Sequence, residues 1–236
     1  MTGAPTGAPD GEFLTNLLSD RPRRKLERGA RLYHEGDSPS EAFFVHSGLV
    51  KLVITADDGT EALVEFRGTG DFVGERSAVD GLPRTSSAVA AIDTSVTSVP
   101  RDDFISHIRH DADLALTMLT GFSVLVRTHV WHILDLTVGD AVTLVAGRLM
   151  QLVRDPIFDS LREDRNGTIV IEMPFSQQEL ASWAGVSHRS ATGVLEQLRE
   201  DRLISTSRLH LEIHDPATLA DRCAPRPSPA ETDQQT

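Results

Sequence analysis

Gly70-Asp71-Phe72-Val73-Gly74-Glu75-Arg76-Ser77-Ala78-Val79-Asp80-Gly81-Leu82-Pro83-Arg84-Thr85-Ser86-Ser87-Ala88 is the stretch on which the reading of this chain turns. A carboxylate, Glu75, stands at the start of a short helical segment, and Arg84 follows nine residues later where a strand begins. One ligand chemistry wants both signs here. A sugar hydroxyl donates to the carboxylate, while a phosphate takes the guanidinium and the backbone N–H groups of the turn. On spacing alone, an acid–arginine pair that merely closes a loop uses the same two residues.

Outward from this stretch, residues 28–100 carry short apolar runs cut by glycine. The runs are Ala42–His46, Leu49–Thr55, Glu61–Phe66 and Ser86–Ser98, with turn signals at Gly36-Asp37, Ser47-Gly48, Asp57-Asp58-Gly59 and Gly68–Asp71. Short strands at such spacing predict a β-sandwich or roll. Helical periodicity starts near Arg101. Over residues 113–137, Leu119, Phe122, Val126, His129, Ile133 and Leu136 recur at alternating spacings of three and four, a heptad stripe suited to packing against a second copy. Leu116, Val130 and Leu134 occupy adjoining faces, available for packing on the chain's own domain. Val138-Gly139-Asp140 breaks the pattern, and a second helix is expected over 141–154. A polar loop at 159–167 and a strand-like 168–173 follow.

Residues 176–198, SQQELASWAGVSHRSATGVLEQL, read as a helix-turn-helix. Ser176 with Glu179 makes a capping box, Gly185 supplies the turn, and Ser187 caps a second helix with Ala191, Val194, Leu195 and Leu198 facing inward. Leu203–Ser205 and Leu209–Ile213, turning at Thr206-Ser207-Arg208, add a β-hairpin wing. His188, Arg189, Ser190 and Thr192 then face a major groove, and Arg189 is the candidate for a guanine edge. Ser176, Ser187, Arg199 and Arg208 are candidates for phosphate contact.

The cassette GDFVGE…DGLPRTSSA, followed by a long helix and a winged helix, resembles the cyclic-AMP receptor protein/FNR family of bacterial transcription regulators over about residues 14–215. The resemblance implies an α+β architecture: an N-terminal cyclic-nucleotide-binding β-roll (a double-stranded jelly roll), a long dimerisation helix and a C-terminal winged helix-turn-helix. The implied division is 1–12 tail, 13–110 sensor roll, 111–139 dimerisation helix and hinge, 140–223 DNA-binding domain and 224–236 tail. Glu75 is implied to take a ribose hydroxyl and Arg84 a cyclic phosphate. Gly74, Arg76, Thr85 and Ser86, with Thr128 and His129 on the long helix, complete the implied ligand set.

The implied effector is a cyclic nucleotide, cyclic AMP first, with cyclic GMP or cyclic di-GMP as alternatives and no covalent cofactor. The implied partners are double-stranded DNA, a second copy of the chain and RNA polymerase. Three departures from the family pattern stand out: Arg76 where leucine is usual, His129 and Val130 where hydroxyl residues read adenine, and His188, Arg189 and Gly193 on the recognition helix. A ligand-independent regulator and a nucleotide-binding module without DNA binding are the alternative readings.

The chain has 236 residues with 39% hydrophobic and 25% charged side chains, a globular composition that excludes wholesale disorder. One cysteine, Cys223, excludes an intrachain disulfide and a four-cysteine iron–sulfur cluster. No apolar run approaches the ~18 residues that a membrane-spanning helix needs, so a cytoplasmic protein without membrane contact is expected. No nucleophile–base set and no phosphate-binding loop of the nucleotide hydrolases is present, so an enzyme is not expected. The pairs His107/His110 and His129/His132 lack further metal ligands. The formal charge of −12 is unusual for a DNA reader, yet residues 185–211 hold four arginines against three acids. Few phosphate contacts, and hence a shallow salt dependence, follow.

Overall fold

The computed structural model describes residues 17–223; the two expected tails and the start of the sensor region lie outside the described residues. The chain divides into two compact units, one ending at Arg127 and the other beginning at Thr128. The N-terminal unit holds two four-stranded antiparallel sheets. One runs β1 (Arg23–Leu26), β8 (Thr94–Pro100), β3 (Glu41–Ser47), β6 (Phe72–Val73), and the other β2 (Arg31–Tyr33), β7 (Ser87–Ala90), β4 (Val50–Thr55), β5 (Glu61–Arg67).

The β3 run Ala42–Val45 is apolar at every position because both faces of the strand are covered. Phe43 and Val45 join Tyr33, Val50, Leu52, Ala88 and Val96 between the sheets. Ala42 and Phe44 face a second cluster with Phe72, Phe104, Leu114 and Met118. That second cluster fastens helices to the roll. α1 (Glu75–Asp80) contributes Ala78, α2 (Arg101–His110) contributes Phe104, and α3 (Ala112–Val138) contributes Leu114 and Met118.

Two expected strand boundaries change. The apolar run 86–98 is two strands in different sheets, parted by a bend at 91–93. β5 is bulged: Leu52 pairs with Glu65 but Val53 pairs with Leu63, which leaves Val64 as the extra, exposed residue. A bulge re-aims the side chains that follow it, here Glu65 and Arg67.

α3 also departs from the expected stripe. Phe122 packs on the roll with Met118 instead of lying on the exposed seam. Leu116 and Val130, expected to pack at home, are 63% and 58% exposed, beside Leu119, Val126 and Ile133. The i, i+4, i+8 set Leu114, Met118, Phe122 claims the home face, so the opposite face is the uncovered one. By length and composition this 27-residue helix is apolar enough to cross a membrane. The expectation that no apolar run approaches a membrane span therefore does not hold for α3, judged by length and average hydropathy. Arg127, His129, His132 and Asp135 interrupt it.

The C-terminal unit packs α4 (Ala141–Arg154), α5 (Gln177–Ala184), α6 (His188–Glu200) and α7 (Pro216–Asp221) beside a sheet ordered β11 (Ile204–Ser207), β12 (His210–Ile213), β10 (Thr168–Glu172), β9 (Arg162–Arg165). The expected polar loop at 159–167 is instead the end of a 3₁₀ turn and the charged strand β9, whose side chains are mostly exposed. The wing turns one residue later than expected, at Arg208-Leu209, with Leu209 at φ 58°.

Phe104 is fully buried, and its ring lies 5.1 Å from that of Phe72. Phe104→Ala is expected to destabilise the N-terminal unit by about 3–5 kcal/mol, read as a shift in the urea unfolding midpoint at unchanged slope.

Candidate ligand cassette and DNA-reading face

β6 delivers the chain into a tight turn at Gly74 (φ 79°), from which α1 starts with Glu75. A side chain at Gly74 would collide with the Arg84 guanidinium, so glycine is required here by both backbone angle and space. Glu75 and Arg84 are each only 3% exposed. Arg84 donates from Nη1 to the Gly74 carbonyl and from Nη2 to the Glu41 carbonyl, and its guanidinium lies 4.3 Å over the Tyr33 ring. Its Nε is buried with no hydrogen-bond partner. Burial lowers the Arg84 pKa, against the raising effect of the nearby Tyr33 and Glu41. Burial, and then the charge of Glu75, push the Tyr33 phenol up to about 12.

Glu75 sits beside two cations, Arg76 of the expected site and Arg67, which the sequence reading did not include. Arg67 Nη2 and Arg76 Nε each approach its Oε1 to 3.5 Å. Both arginines also bind Glu65, Arg67 through Oε1 and Arg76 through Oε2. Burial alone would raise the Glu65 carboxyl, but Arg67 and then Arg76 outweigh it and hold the group below its ordinary value. Burial would lower Arg67, yet Glu65, Glu75 and Asp71 together raise it. The sequence signal for Glu65 and Arg67 was their i, i+2 spacing on one strand.

The unsatisfied atoms suit the expected ligand. Glu75 Oε1 is a buried acceptor, and Arg84 Nε and Arg67 Nε are buried donors, all without hydrogen-bond partners; a hydroxyl and a phosphate supply the complements. Ser86 is half-buried and Thr85 exposed beside them. A 550 Å³ surface cavity lined by Ser38, Ser40, Gly81 and Arg101 contains neither Glu75 nor Arg84. The buried charges of Glu75 and Arg84 lie apart from the lining of that open hollow. Thr128 and His129 lie on α3, at the start of the other compact unit.

In the C-terminal unit the expected capping box is formed: the Ser176 hydroxyl accepts from Glu179 N, and Ser176 N donates to the Glu179 carboxylate. Gly185 ends α5 at φ 74°, with Leu136 of α3 packed where a side chain would project. Ser187 caps α6 by accepting from Ser190 N. The inner face of α6 is Ala191, Val194, Leu195 and Leu198, all buried, which leaves His188, Arg189 and Ser190 exposed. Thr192 donates to the His188 carbonyl. Arg199 donates to Thr206 Oγ1 at 2.8 Å and so ties α6 to the wing, whose tip presents Arg208. Arg148 of α4 braces the reader: it donates to the Trp183 carbonyl, stacks over the Trp183 ring at 5.0 Å, and meets His132 of α3.

Among the described residues no group of three or more His, Cys, Asp and Glu side chains forms a metal cluster. Because the Glu65 pKa is depressed in the folded state, its stabilising contribution is present above the unfolded value of 4.5 and is lost as pH falls through the lower folded value. Glu65→Gln, which removes the carboxylate charge hydrogen-bonded to the buried Arg67 and leaves it to Glu75 and Asp71, is expected to cost about 3 kcal/mol at neutral pH. It should also flatten the loss of stability below that pH, as followed by unfolding midpoint against pH.

A cyclic nucleotide-binding domain model matches residues 23–111, and a Crp-like helix-turn-helix domain model matches residues 145–222. The chain is 27% identical over 207 residues to the Cyclic AMP receptor protein of Thermus thermophilus, covering 86% of this chain and 89% of that one. It is 26% identical over 202 residues to the Global nitrogen regulator of a Synechocystis strain, covering 84% and 86% respectively. In fold it is similar to the c-di-GMP responsive global regulator CLP of Xanthomonas campestris, with a TM-score of 0.73 at 21% identity, covering 87% of this chain and 99% of that one. With a nucleotide-binding roll at one end and a DNA-reading domain at the other, the chain belongs to the CRP/FNR family of DNA-binding transcription regulators.

Proposed function

We propose that this regulator is a cytoplasmic homodimer that responds to a cyclic nucleotide, with cyclic AMP the first choice and cyclic GMP or cyclic di-GMP the alternatives. The observation that carries this reading is the pair of buried, oppositely charged groups with unsatisfied atoms, Glu75 and Arg84. Glu75 would accept the ribose hydroxyl. Arg84 would offer Nε to the phosphate and exchange its carbonyl contacts at Gly74 and Glu41 for phosphate oxygens. Thr85 and Ser86 add hydroxyl donors at the mouth, and Arg76 stands beside Glu75. Thr128 and His129 would join the set only as the family resemblance implies.

The exposed apolar face of α3, Leu119, Val126 and Ile133 with Leu116 and Val130, is what a second copy would cover. Effector binding would then bias the arrangement of the paired helices, a population shift between states that differ in effector affinity. Because Leu136 and His132 of α3 pack directly on Gly185 and Arg148, a change in the helix reaches the reader without a slack linker.

On DNA, Arg189 with His188, Ser190 and Thr192 would read base edges. Arg208, Ser176, Ser187 and Arg199 would position the backbone, although the last three already hold internal bonds. Promoter-bound dimers would engage RNA polymerase. A two-fold dimer predicts a pseudo-palindromic site with half-sites about 34 Å apart.

Calorimetry with the three nucleotides tests the site: at least one should bind the wild type, and Arg84→Ala should abolish that heat, whereas equal heats for both proteins would remove Arg84 from the site. Selection from a random DNA pool should return a two-fold symmetric sequence. The selected site should be bound with a salt slope well short of about ten counterions for the dimer; a slope approaching ten would contradict the sparse-contact reading.

A further inference from the structure

Glu75 and Arg84 carry opposite charges, and each has a buried atom without a hydrogen-bond partner, yet no ion pair joins them among the described residues. Opposite charges attract strongly where water is excluded, so something holds them apart. Glu75 stays beside Arg67 and Arg76, each 3.5 Å from its Oε1. No carboxylate bonds Arg84. Its edges donate to the Gly74 and Glu41 carbonyls, and its face lies 4.3 Å over the Tyr33 ring.

Tyr33 is the one tyrosine of the chain. It ends β2 and is 9% exposed, and its ring stacks on that of Phe43 at 6.1 Å, which fixes it in the core between the sheets. The backbone just beyond it is stitched to Arg84: Gly36 N donates to the Arg84 carbonyl, and Arg84 N donates to the Asp37 carbonyl. The stack is therefore set by the fold and not by two loose side chains. With its phenol pushed up to about 12, Tyr33 is neutral at ordinary pH and attracts Arg84 through the ring face alone. A guanidinium keeps all its N–H donors on its edges. The two carbonyls occupy edges that a phosphate would claim, whereas the ring occupies none.

We propose that Tyr33 is a positioning residue for the ligand anion, its ring holding the Arg84 guanidinium by the face, away from Glu75, so that the edges can turn to a cyclic phosphate. The inference rests on the reading of Arg84 as the phosphate ligand. Without the ring, the pull that Glu75 already exerts on Arg84 draws the guanidinium toward the carboxylate. A ligand must then break that pair before it binds, a cost that preorganisation removes.

Calorimetry with cyclic AMP, cyclic GMP and cyclic di-GMP tests this on the full-length wild type, Tyr33→Phe, and Tyr33→Phe made with difluoro- or trifluorophenylalanine. Ring fluorines withdraw the electron density that attracts a cation and barely change ring size, so they separate stacking from packing. For whichever nucleotide binds, Tyr33→Phe should stay within about twofold of the wild type, and affinity should fall stepwise with fluorine, by about tenfold over the series. The unfolding midpoint should hold steady across the series. Equal affinities for the fluorinated and plain Tyr33→Phe proteins overturn the positioning role while leaving nucleotide binding intact. A wild type that binds none of the three nucleotides overturns the reading of Arg84 itself.

Discussion

Burying a carboxylate and a guanidinium in one small roll is the constraint to which the N-terminal unit is built. Removing either ion from water costs several kcal/mol even after relaxation, and Glu75 and Arg84 both lie almost wholly inside. The chain answers in two ways. Arg84 is held by backbone carbonyls and an aromatic face, which neutralise little and leave a donor over. Glu75 is held by charge, from Arg67 and Arg76, which are themselves balanced by Glu65. The glycine at 74, the bulge at Val64 and the arginine at 76 are local features that follow from that arrangement.

The C-terminal unit solves a mechanical problem instead. Its reader is attached stiffly to the end of the long helix. The last turns of α3 belong to the same compact unit as the helix-turn-helix, and the attachment is specific. Leu136 fills the space over Gly185, while Arg148 bonds the Trp183 backbone, covers its ring and meets His132. The break at Gly139 ends the helix, but the boundary between compact units lies earlier, inside α3. The turn of the reader thus rests on the helix itself.

The architecture was legible because its signals are local: glycine-punctuated apolar runs, a 3.6-residue period, and a Ser-x-x-Glu cap before a glycine turn. The Glu75–Arg84 pair was legible as two opposite charges nine residues apart, and the structure buries both. Less was readable where tertiary context decides. β1 and β9 are built from Arg23-Arg24-Lys25 and Arg162-Glu163-Asp164-Arg165, charged edge strands that mimic loops. Phe122 fits a heptad stripe as well as it fits the roll, and only the position of Leu114 and Met118 decides. Glu65 and Arg67 were invisible as site residues because their partners Glu75 and Arg76 lie on another element, a long-range pairing that no short-range pattern announces.

The acidic balance of the whole chain is compatible with DNA binding because the cations are concentrated where α6 and the wing are exposed. It makes sparse contacts, and therefore dependence on correct positioning of two readers, the expected mode. The central claim is that occupancy of the Glu75–Arg84 site is coupled to that positioning. Fluorescence anisotropy of the selected operator duplex, titrated with the wild-type protein at fixed salt with and without each of the three nucleotides, measures the coupling directly. At least one nucleotide should change DNA affinity by about fivefold or more, the ordinary range of an allosteric coupling. Superimposable curves with all three would contradict the account.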